Sequence, residues 1–139
     1  HEQAGLLDVV AHAERDLSEV LLRTNIDRLS LIPSGQNREL ASELVSSVRM
    51  RLIMEELATR YPDRLVIVDT APVLADSGTA ILSEYAGQVL FVVEADTTDR
   101  ATIDSALDLL PGDQEPQVVL NKNRGRGKVR APYYKYAAS

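Results

Sequence analysis

The position with the clearest chemical potential is Asp69, the first polar residue after the aliphatic run Leu65-Val66-Ile67-Val68. Ligands of open parallel sheets gather beyond the carboxyl ends of the strands. A carboxylate placed there can hold Mg²⁺ through water, because Mg²⁺ keeps several waters and takes only one or two carboxylates. The alternative is an aspartate that caps the following turn. Asp76, seven residues on, has the same two readings: a base or second metal contact, or the N-cap of a helix together with Ser77. Asn121 closes the run Val118–Leu120. Its amide carries donors and an acceptor and so can meet the edge of a base, or it simply forms a turn. Tyr133, Tyr134 and Tyr136 cluster near the end. As phosphate acceptors each would gain about −1.5 to −2 charge; as plain aromatics they would pack on a neighbour.

The elements that must position these residues alternate between helix and strand. Apolar positions Leu6, Val9, Val10, Leu17, Val20 and Leu21 predict two short helices or one broken helix over residues 4–22. Residues 28–32 predict a short strand closed by Pro33-Ser34-Gly35. A long helix is predicted over 38–60, capped by Asn37, with its stripe at Leu40, Ala41, Leu44, Val48, Leu52 and Leu57. Arg49, Arg51, Glu55 and Glu56 read as its solvated face. Strands are predicted at 65–68, 89–93 and 118–120, separated by helices near 79–86 and 99–110. Continuous aliphatic strands alternating with helices predict an α/β fold, a parallel sheet flanked by helices on both sides. The partition is a core over 1–121 and a flexible, basic, tyrosine-rich tail over 122–139, where six cations and no acid fall within 18 residues.

Composition narrows the function classes. The 139 residues carry a net charge of −6, which disfavours nonspecific nucleic-acid binding by the body of the domain. There is no cysteine, so no disulfide frame or cysteine-based metal site is possible. The two histidines both lie near the start, a poor place for a catalytic imidazole. No apolar run approaches the length that spans a bilayer, and the expected compartment is the cytoplasm.

The segments GLLDVV (5–10), LRTNIDRLSLIPSG (22–35), residues 39–74 through LVIVDTAPVL, GQVLFVVEADTT (87–98), VVLNK (118–122) and YYKY (133–136) resemble, in this order, the bacterial tyrosine autokinases of exopolysaccharide biosynthesis, in particular their exosortase-associated branch. That family is similar to the MinD and ParA ATPases, so the resemblance implies a P-loop (MinD/ParA-like) fold that is incomplete in this chain. It implies ATP and Mg²⁺ as cofactors and autophosphorylation of a C-terminal tyrosine cluster, often on a neighbouring subunit. It also implies a membrane-spanning polysaccharide chain-length partner at the inner face of the plasma membrane, homo-oligomers and no nucleic acid. By position, Asp69 resembles the Mg²⁺-holding acid of the family's Walker B motif and Asn121 the residue near adenine. Tyr133, Tyr134 and Tyr136 resemble the autophosphorylation cluster.

The departures from the family pattern matter as much. The phosphate-cradling GxxxxGK[ST] loop is not found among the 139 residues, nor is the family's second aspartate motif. Both are expected to precede residue 1, with this chain a fragment that is inactive alone. Ala71 replaces a common proline, and Gly78 stands where an acid is frequent, which bears on Asp76. Without the strand that carries the loop, sheet edges beside residues 65–68 should be exposed and should invite pairing with another chain, which predicts oligomerisation or an altered strand order. Two other readings predict different behaviour: a non-catalytic module of the export machinery would need no nucleotide, and a partition or septum-site ATPase would have no use for three terminal tyrosines.

Overall fold

In a computed structural model, residues 3–60 and 63–123 are described, Arg38 by its backbone alone. The elements are α1 (Leu6–Ala11), a 3₁₀ turn (Leu17–Glu19), β1 (Leu22–Arg23), β2 (Ser30–Leu31), a second 3₁₀ turn (Arg38–Leu40), α2 (Ala41–Val45), α3 (Val48–Arg60), α4 (Ser77–Ser83), β3 (Leu90–Glu94), α5 (Arg100–Leu107) and β4 (Gln117–Asn121). The fold is mixed α/β with a small parallel sheet, β3 beside β4. The first expectation holds in its two-helix form, since α1 and the 3₁₀ turn share the predicted span.

A buried carboxylate organises the N-terminal region. Asp8 accepts the N–H of Gly5 at 2.8 Å, the N–H of Gln36 at 3.1 Å and the side-chain amide of Asn37 at 2.7 Å. The N–H groups of Leu6 and Leu7 donate to the carbonyls of Pro33 and Ser34 at 2.8 and 2.9 Å. The two segments approach so closely that a Cβ at Gly5 would lie 2.1 Å from the Pro33 oxygen, and Gly35 takes a positive φ of 94°. Glycine meets both demands without a side-chain clash. Burial pushes the Asp8 carboxyl up, yet the Gly5 and Gln36 N–H groups, Arg15 and the Asn37 amide together hold it below the usual carboxylate range.

The predicted long helix is broken. The Ser47 hydroxyl accepts the Met50 N–H at 3.1 Å and so starts α3, while it donates to the Leu44 carbonyl at 2.7 Å. Ser46 bonds back to the carbonyls of Ser42 and Glu43. Such side-chain bonds compete with the backbone ladder. The break shifts the buried face to Val45, Met50, Ile53 and Leu57, whereas Leu40, Val48 and Leu52 of the expected stripe are exposed. Asn37 directs its amide N–H to Asp8. Arg49 is not merely a solvated cation, because its guanidinium donates to the carbonyls of Ala13 and Arg15.

One hydrophobic core results. It joins Leu7, Val9 and Val10 of α1, Leu17, Val20, Val45, and Met50, Ile53 and Leu57 of α3, with Ile81, Leu82 and Tyr85 pressed against it.

The strands depart most from expectation. Within residues 28–32 only Ser30–Leu31 form a strand, one arm of an antiparallel hairpin, with Leu22 opposite Leu31 and Arg23 opposite Ser30. The Thr24 hydroxyl accepts the Ile26 N–H and donates to the Leu29 carbonyl, and Arg28 adopts a φ of 63° to close the turn. Residues 65–68 are not a strand: they join no ladder among the described residues, and Leu65 and Ile67 are 86% and 80% exposed. A strand is held by its neighbour's hydrogen bonds, and no described segment supplies them here. The exposure expected beside Asp69 is therefore present. Among the described residues two strands, not the expected sheet flanked on both sides, form the parallel part. Val93 of β3 and Ala106 of α5 are its buried apolar residues, while β4 is exposed along its length.

Candidate functional site

The candidate residues sit where strands, or the run that would be one, reach their carboxyl ends. After residues 65–68 the chain carries Asp69 exposed and then turns: the N–H groups of Ala75 and Asp76 donate to the Pro72 carbonyl at 2.8 and 3.2 Å. Asp76 accepts the Gly78 N–H at 2.8 Å and thereby caps α4, the second of its two sequence readings. Thr79 ties the helix back to the Ala71 carbonyl at 2.9 Å. Asp69 is thus left pointing to solvent ahead of a tightly bonded turn.

The second strand end is more elaborate. Glu94 and Asn121 are register partners at the ends of β3 and β4, and the Ala95 N–H donates to the Asn121 carbonyl at 2.9 Å. The Asn121 Oδ1 accepts the N–H of Lys122 at 2.8 Å, and the Lys122 ammonium lies 2.9 Å from Glu94 Oε2. Thr97 donates to Glu94 Oε1 at 3.5 Å. Two non-glycine residues here have positive φ, Asp96 at 62° and Lys122 at 55°, so both chains leave the sheet by sharp left-handed bends. Beyond them Asp99 accepts the Thr102 N–H at 2.8 Å and caps α5, and that N–H holds its carboxyl below the usual range.

The structure therefore brings Asn121 together with Glu94, which sequence reading passed over, and with Lys122, which it assigned to the flexible tail. The signal was there, since Glu94 closes the aliphatic run VLFVV as Asn121 closes VVL. Among the described residues, no hydrogen bond or ion pair joins Asp69 or Asp76 to that cluster. Tyr133, Tyr134 and Tyr136, and the tail from residue 124, lie outside the described residues. Among the described residues no group of three or more acids or histidines could enclose a metal ion. A single exposed carboxylate such as Asp69 still fits Mg²⁺, whose other ligands are waters and phosphate oxygens. No described helix is long and apolar enough to cross a membrane.

No protein-family profile matches the sequence. The tyrosine-protein kinase wzc of Salmonella typhimurium is 31% identical over 136 residues, which cover 95% of this chain and 18% of that protein. EpsB of Ralstonia nicotianae is 35% identical over 106 residues, 76% of this chain and 14% of that protein. The chain is homologous to bacterial tyrosine autokinases. Among solved structures, the BceF tyrosine kinase domain is similar with a TM-score of 0.71 and 27% identity, over 84% of this chain and 48% of that domain. The autokinase likeness thus extends from sequence to a P-loop-type fold. This chain spans under a fifth of the length of either relative and about half of the solved kinase domain.

Proposed function

We propose that this chain is the C-terminal part of an ATP-dependent protein-tyrosine autokinase that regulates exopolysaccharide polymerisation and export. The observation that carries this reading is the 31% identity to wzc along 95% of the chain. In the proposal Asp69 holds Mg²⁺, which when bound offsets charge on the transferring phosphates. Asn121 meets the adenine edge at the mouth of β3 and β4. Asp76, whose Oδ1 caps α4, keeps the turn after Asp69 in place and retains its second carboxylate oxygen for the metal. The tyrosines at 133, 134 and 136 accept the phosphate. The chain does not contain a GxxxxGK[ST] loop, whose N–H groups and lysine bind phosphates in P-loop enzymes, so the 139 residues alone are inactive. The working assembly is a homo-oligomer at the inner face of the plasma membrane, joined to a membrane-spanning chain-length partner.

The test is transfer of labelled phosphate from ATP by the whole polypeptide. Triple substitution of Tyr133, Tyr134 and Tyr136 by Phe should abolish labelling, and undiminished label would remove the tail from the mechanism. Asp69→Asn should lower transfer by at least a hundredfold, an electrostatic loss of the size seen when one transition-state contact is removed.

A second reading, a non-catalytic module of the export machinery, draws on the exposed aliphatic run at 65–68, a surface suited to pairing with another chain. Calorimetry with ATP and Mg²⁺ separates the two, because the module has no need of nucleotide.

A further inference from the structure

We propose that the acidic surface over residues 94–115 is the dock for this chain's own basic arm, residues 122–130. The contact is electrostatic and needs no nucleotide, so it stands apart from the kinase reading above.

The arm has a period in its sequence. Lys122, Arg124, Arg126, Lys128 and Arg130 occupy every second position, and no acid follows residue 122. Alternate side chains of an extended segment share one side, so this spacing lines five cations along one edge. A helix would spread them around its axis.

The surface has the opposite character. Residues 94–115 carry seven acids and one cation, Arg100, which already pairs with Asp104 at 3.4 Å. Asp96, Asp108, Asp113 and Glu115 are exposed, and no described cation pairs with them. Asp113 and Glu115 line an open cleft with Val89 and Gln117 at the amino ends of β3 and β4. Like charges gathered without counter-charges repel one another. A cationic segment relieves that repulsion.

The structure already holds the first contact. Lys122 is the one member of the alternating series among the described residues, and its ammonium lies 2.9 Å from Glu94 Oε2. Its φ of 55° turns the chain sharply at the end of β4, away from the strand direction. The arm from Lys122 to Arg130 reaches about 26–29 Å when extended, whereas five strand residues such as β4 span about 17 Å. Folded back, it therefore covers the distance from Glu94 to Asp113 and Glu115. Covalent attachment gives it an effective concentration near the millimolar range, so pairs that are individually weak act together. A second copy or an anionic lipid surface has no such advantage.

Trypsin, which cuts after lysine and arginine, reads this contact in the whole polypeptide without nucleotide. At low salt, cleavage after Arg124 to Arg130 should be about tenfold slower than in a free peptide of residues 122–139. At about 1 M salt, where screening acts within roughly 3 Å, the two rates should converge. The joint substitution Asp96→Asn, Asp108→Asn, Asp113→Asn and Glu115→Gln should bring the rate within about twofold of the peptide's. All four side chains are exposed, and asparagine tolerates the positive φ of residue 96. Slow cleavage inside residues 3–60 would show that the variant keeps its fold. Protection should persist over about a hundredfold dilution, as an intramolecular contact must. Equal rates for the natural polypeptide and the peptide, or protection that survives both salt and the joint substitution, overturns the dock. Protection lost on dilution gives the arm to a second copy and overturns the own-chain assignment. Transfer of labelled phosphate is a separate readout, so none of these results bears on the kinase reading.

Discussion

The two halves of this chain differ in where most of their aliphatic residues go. Residues 3–60 gather a buried set, with Met50 and Ile53 0% and 1% exposed and α1, α2 and α3 closing around them, while Ile26, Leu31, Leu40, Val48 and Leu52 stay outside it. Residues 63–123 bury Val93 and Ala106 and press Ile81 and Leu82 on that core, but display the run 65–68, Leu90 and Val92 of β3, and Val118 to Leu120 of β4 to solvent. Helices satisfy their backbones internally, so three short ones can close a core with local partners. Strands depend on neighbours for both hydrogen bonds and cover, and a two-stranded sheet has little of either. The helical half holds the core, which Ile81, Leu82 and Tyr85 of the other half help to cover, and the strand half is a surface that calls for additional strands or a partner.

The largest test of this contrast is truncation in the helical half. Met50→Ala should lower stability by about 2–5 kcal/mol, as for a fully buried side chain whose cavity only partly collapses. Urea unfolding followed by the helical signal would measure it. A loss under 1 kcal/mol would mean that the helical half is far looser than its burial implies.

A smaller effect is expected at the carboxylate that locks α1 to residues 33–37. Asp8→Asn should cost about 1–3 kcal/mol, the range for removing a charged partner from buried donors. The pH dependence carries a sign. The folded carboxyl titrates below its value in the unfolded chain, so its contribution is complete above the unfolded value near pH 4. The contribution is lost as pH falls through the folded value. Acid titration of the natural protein should therefore show a loss of stability below about pH 4 that is shallower in Asp8→Asn.

The smallest effect on folding is expected in the exposed half. Ile67→Lys should change the stability of the single chain by no more than about 0.5 kcal/mol, as for most surface substitutions. Sedimentation is the sharper measurement there. Self-association of the natural chain should weaken clearly in the variant, and equal association of the two would show that residues 65–68 are not the contact.

How much of this was legible in the sequence follows the same division. Elements with local signals were read well: α4 behind Asp76, α5 behind Asp99, and the strands ending at Glu94 and Asn121 lie within a few residues of their expected bounds. The misread elements depend on distant partners or on side-chain hydrogen bonds. Residues 65–68 carry every mark of a strand and lack only a neighbour, which composition cannot supply. The stripe on the long helix was drawn through Ser46 and Ser47 as if they were ordinary helical positions, although their hydroxyls end one helix and start the next. At the site, Asn121 was legible as the residue after an aliphatic run. Its cluster with Glu94 and Lys122 was not, because it follows from the β3–β4 register.

The serine pair between α2 and α3 has an evolutionary corollary. Within α3, gaining or losing one residue would rotate everything beyond it by about 100° and swing Ile53 and Leu57 off the core. At residues 46 and 47 the ladder is already interrupted, and the new helix takes its starting angle from the Ser47 cap. Lineages of this protein should accordingly accommodate insertions and deletions at that joint while holding the spacing of Met50, Ile53 and Leu57 constant.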